Sequence, residues 1–113
     1  MSMPAMVSKA EDVEKVVQWS MQTDRRVMSQ AMYELMTTDL RDEAARVECP
    51  VLVLGSWYAG KDYGMTKDSV KNTFEGQYQK VGDVSIAMAE KARHFIMLDE
   101  FDWFMEKVNT FLE

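Results

Sequence analysis

Two short aliphatic runs, Val51-Leu52-Val53-Leu54 and Val84-Ser85-Ile86-Ala87-Met88, constrain this chain more than any other feature. The first is apolar at every position. A strand of that kind is covered on both faces, as in a parallel sheet flanked by helices, whereas a half-solvated hairpin strand alternates. Between the runs, Val70, Phe74 and Tyr78 recur at helical spacing in a stretch from Thr66 to about Lys80, and Gly82-Asp83 makes a turn. Gly76 weakens that helix by about 1 kcal/mol relative to alanine. Strand, helix, strand in this order forms one right-handed parallel crossover. The expected class is therefore α/β, with a short parallel sheet of two strands flanked by helices.

Upstream, Ser8-Lys9-Ala10-Glu11 has the form of a capping box and predicts a helix start. Ala10, Val13, Val16, Val17 and Met21 then give it one apolar face, and Trp19 falls off that stripe. A second start at Thr23 or Asp24 precedes Val27, Met28, Ala31, Met32 and Leu35, again on one face. Together they predict a helical hairpin. Residues 38–46 read as a charged helical connector into the first strand. At the other end, Phe101, Phe104, Met105, Val108, Phe111 and Leu112 form the stripe of a closing helix. Asp99 is expected to cap it, with Glu100 and Asp102 in its first turn, which assigns these acids to structure.

The 113 residues suffice for one domain that buries roughly two-thirds of its unfolded surface. Thirteen Lys and Arg against nineteen Asp and Glu leave a net charge of −6, which argues against nucleic acid as a partner. The first seven residues hold no signal-like apolar core, and no run approaches the length of a bilayer span, so no membrane partner and a cytoplasmic location are expected. Cys49, before Pro50, reads as a small apolar filler, and one Cys with one His cannot build a zinc site. No metal and no cofactor are predicted. The eleven methionines suit either ordinary core packing or an adaptable apolar cover.

The only histidine lies in Ala92-Arg93-His94-Phe95-Ile96-Met97-Leu98-Asp99, between the second strand and the closing helix. That arrangement resembles the end of the α/β-hydrolase fold, where a His-Phe pair follows the last strand and a terminal helix closes the domain. Arg46-Val47-Glu48-Cys49-Pro50-Val51-Leu52-Val53-Leu54-Gly55 is similar to the same family's approach to its penultimate strand. The two segments span about the last two-thirds of the chain. The resemblance implies a partial α/β-hydrolase fold: residues 1–48 a cap-like helical segment, residues 49–113 the C-terminal strand-helix-strand-helix, all in one domain. Two helices packing on a sheet as ordinary layers is the alternative reading of the first part.

The resemblance further implies that His94 acts as general acid and base, and that an acid beyond the first strand orients it. His94 is chemically suited, since an unperturbed imidazole titrates near neutrality. Asp62 fits the family order of nucleophile, acid, histidine; Asp68 is the substitute, and a solvated loop carboxylate is the plain reading of either. Residues 56–64, with Trp57, Tyr58 and Tyr63 among glycines, are read as a loop forming a binding rim, Trp57 and Tyr58 being the substrate contacts. No serine has a glycine two positions before it, so the G-x-S-x-G elbow is absent, as is an H-G-G-G-type oxyanion loop.

Two functions of different classes follow. One is the C-terminal portion of a hydrolase of small esters or related acyl or halo compounds, inactive without the nucleophile half. The other is a non-catalytic interaction module derived from that fold. In both, an open edge on the strand at 51–54, or the methionine-bearing helices, is expected to make a homodimer.

Overall fold

The computed structural model describes residues 5–113. Met1, Ser2, Met3 and Pro4, part of the stretch read as lacking a signal-like core, lie outside the described residues. In chain order the elements are α1 (Ala10–Gln22), α2 (Arg25–Thr37), a 3-10 turn (Glu43–Arg46), β1 (Val51–Gly55), a second 3-10 segment (Tyr58–Tyr63), α3 (Lys67–Gln77), β2 (Val84–Met88), α4 (Ile96–Asp99) and α5 (Phe101–Leu112). The fold is mixed α/β. β1 and β2 pair in parallel, in register from Val51 opposite Val84 to Gly55 opposite Met88.

The helices on this sheet follow from the alternation of side chains along a strand. Leu54 packs with Trp103 and Phe104 of α5 against the buried cluster of Ala89, Ala92 and Ile96. At the next residue, Gly55, a Cβ would overlap Met88 Sδ and lie 2.8 Å from Phe74 of α3. α5 and α3 therefore cover opposite faces of β1, as its unbroken apolar run requires. Thr66 starts α3 with a capping box: its hydroxyl accepts from the Ser69 amide at 3.1 Å, and Ser69 Oγ accepts from the Thr66 amide at 3.0 Å. α3 ends at Gln77, just past Gly76 and short of the expected Lys80.

Four expectations are corrected. Ser8 does not close a capping box on α1, whose cap position is Lys9 without a side-chain bond; its hydroxyl is taken by Asp99 instead. Asp99 does not cap the closing helix, because it lies within α4 and its carboxylate accepts from the amides of Arg93 and Ser8. On α5, Phe104, Met105 and Val108 of the expected stripe are half-buried and Trp103 joins them, while Phe101, Phe111 and Leu112 are exposed. Finally, α1 and α2 follow one another across Thr23 and Asp24 but do not pack along their lengths as a hairpin. Asp24 does start α2, accepting from the Arg26 and Val27 amides at 2.9 and 3.1 Å. Yet no residue of α2 is buried.

Candidate functional site

Ligands of open parallel sheets bind beyond the carboxyl ends of the strands. Here those ends lead into residues 56–65 after β1 and residues 89–95 after β2. Trp57 ties them together, its indole Nε1 donating to the Ala89 carbonyl at 2.9 Å. The stretch read as a loop is a short 3-10 helix, Tyr58–Tyr63, ended by Gly64 at φ 87, where a side chain would be strained. Gly60 comes close to Met65 in the same segment.

The histidine loop is held by carboxylates. Glu100 Oε2 accepts from the amides of Lys91 at 3.1 Å and Ala92 at 2.6 Å. Asp99 Oδ2 accepts from the Arg93 amide at 2.8 Å. The same Asp99 carboxylate accepts from the Ser8 amide and hydroxyl, each at 2.9 Å, and the Phe95 amide donates to the Met6 carbonyl at 3.0 Å. Hydrogen bonds to an ionised acceptor are about twice as strong as neutral ones, so these fix the loop firmly. His94 projects from it with its ring exposed, edge-on to Phe95 at 5.1 Å. Trp19 of α1, the aromatic that fell off the apolar stripe, also meets Phe95 edge-on at 6.2 Å. A row of rings thus joins the histidine loop to the first helix.

Asp62 is exposed on the 3-10 segment and borders a cleft of about 330 Å³ with Tyr58, Lys61 and Arg93. His94 is next in sequence to Arg93, but no hydrogen bond joins Asp62 to its ring. Asp68 borders a different cleft, with Ile86, Met88, Trp103 and Lys107, between α3 and α5 at the edge of β2. Of the two expected substrate contacts, only Tyr58 lines the cleft; its ring packs edge-on to Trp57 and carries the Lys61 ammonium 5.3 Å from its centroid. Trp57 is used to join the two loops. Among the described residues no group of three or more His, Cys, Asp and Glu side chains is placed to hold a metal, and no helix is long and apolar enough to cross a membrane.

What the sequence did not signal is the clamp. Ser8 and Asp99 are 91 residues apart, and nothing local marks them as partners. Trp19 did carry a signal, its position off the helical stripe. No protein family, no curated protein and no solved structure matches this chain.

Proposed function

We propose that this chain is the acid-base portion of an α/β-hydrolase, with His94 as general base and acid and Asp62 as the carboxylate that orients it. One observation carries the reading: a loop at the carboxyl end of a parallel strand pair is clamped by Asp99 and Glu100 so that its only imidazole stands in solvent. A carboxylate at one ring nitrogen would leave the other to take a nucleophile's proton and return it to the leaving group. Asp62 is favoured over Asp68 because its segment shares a cleft with Arg93, beside His94. The acid-histidine contact would close as substrate and nucleophile are bound, which is usual for catalytic hydrogen bonds. Substrates would be small esters or related acyl or halo compounds, and Tyr58 would line the pocket.

The chain has no serine elbow and is therefore expected to be inactive alone. Turnover of an activated short-chain ester should be unsaturable and equal in the His94→Ala variant. Within a polypeptide that also carries the elbow, Asp62→Asn should lower kcat by up to about 10⁴-fold, since the amide favours the wrong histidine tautomer. Asp68→Asn should be mild. Saturable turnover by the isolated chain, lost in His94→Ala, would reveal a nucleophile of its own; the reverse ranking of the two acids would move the role to Asp68.

A second reading, a non-catalytic interaction module, is favoured by the uncovered apolar stripe of α2.

A further inference from the structure

We infer that α2 is a self-association surface, on which a second copy of this chain packs antiparallel about a two-fold axis. Val27, Met28, Ala31, Met32, Leu35 and Met36 form one continuous stripe, and every one of them is exposed, Leu35 to 69% and Met36 to 78%. An amphipathic helix buries such a stripe against something.

The missing area is large. A compact monomer of 13.1 kDa exposes about 6,400 Å², whereas this chain exposes 8683 Å², about 2,300 Å² more. Its radius of gyration, 15.5 Å, likewise exceeds the roughly 13 Å of a compact chain of 113 residues. A standard interface buries about 800 Å² per partner and an obligate one more than about 1,000 Å². The surplus belongs to the whole chain and exceeds either requirement, and the exposed stripe of α2 is a contiguous apolar part of it.

The stripe is complementary to itself. Centred on an antiparallel axis, it sets Val27 against Met36 of the second copy, Met28 against its Leu35, and Ala31 against its Met32. The smallest residue then faces a pliable one at the crossing, where the helices come closest. The charges at the helix ends choose the direction. α2 has arginines 25 and 26 at its start, no acid in its first turn and no base in its last. This is the unfavourable order for the helix dipole. An antiparallel copy brings Arg25 to the partner helix's carbonyl end, while a parallel copy would gather four arginines at one end. The inference stands on this surface and is independent of any role for His94.

Light scattering of the whole chain at about 50 µM should give twice the mass of 13.1 kDa. Met32→Glu places two carboxylates in the apolar seam and should weaken the dimer about 100-fold or more, leaving a monomer of unchanged far-ultraviolet circular dichroism. For the direction, exposed Cys49 is replaced by Ser. Val27→Cys and Met36→Cys proteins, mixed and oxidised, should then form the mixed disulfide in preference to either homodisulfide. A folded wild-type monomer, a dimer that survives Met32→Glu, or a predominant Val27→Cys homodisulfide would each overturn the proposal. The second of these outcomes would place the interface elsewhere, the open edge of β1 included.

Discussion

The region from β1 to α5 and the region from α1 to the connector share a residue vocabulary and reach opposite ends. In the first, apolar positions find one another: Met88, Ala89, Ala92 and Ile96 are buried, and a glycine is needed at 55 because Phe74 and Met88 leave no space for more. In the second, α1 buries Val16 and sets Trp19 on the histidine loop, and then the pattern runs out of partners at α2. Amphipathic spacing fixes where a helix forms and which of its faces is apolar. It leaves open what that face meets, because tertiary partners come from other parts of the chain or from another molecule.

The difference is most strongly tested where the two regions join. Asp99→Ala removes the acceptor shared by the Ser8 amide, the Ser8 hydroxyl and the Arg93 amide, and should cost about 3 kcal/mol of stability. Denaturant unfolding measures it. Hydrogen exchange in the same variant should rise at Ser8 and Arg93 while β1 and β2 remain protected; equal loosening of the strands would mean that the regions are not separable. A smaller effect belongs to the strand region alone. Gly55→Ala forces the ring of Phe74 and the thioether of Met88 to shift and should cost about 1–3 kcal/mol. No change in the unfolding midpoint would show that this packing is looser than described.

The smallest effect is in the connector after α2. The hydrogen bonds from Arg41 lower the Asp39 carboxyl to about 2. A carboxyl depressed on folding contributes stability above its ordinary value, near 3.9. That contribution is lost as pH falls from about 4 through about 2, and the pair is exposed, so the loss should be slight. An NMR titration should place the Asp39 midpoint near 2 and return it towards the ordinary range in Arg41→Ala.

Both strands were legible as short aliphatic runs, the first apolar at every position, and the structure begins and ends them within a residue of the expected limits. The start of α3 near Thr66 was legible from the helical spacing of Val70, Phe74 and Tyr78, and that of α2 to within Thr23 or Asp24 because a cap is a local bond. Ser8 and Asp99 were misread for the same reason. Each has the local form of a helix cap, yet each satisfies its polar atoms with the other, and a serine hydroxyl carries no mark of the distance to its partner. The site followed this division: the loop position of His94 could be read from order along the chain, whereas the carboxylate clamp beneath it could not.

The bond between Ser8 and Asp99 also has a consequence in time. Its partners are 91 residues apart, so the entropy of closing that loop is on the order of 4 kcal/mol, more than joining β1 to β2 demands. Contacts of such separation form late. Synthesis delivers Ser8 well before Asp99, so the segment around Ser8 must wait undocked while the strands and α5 assemble. Until it docks, Asp99 holds the Arg93 amide without the two bonds from Ser8, so the loop around His94 gains these anchors only after the strands have paired.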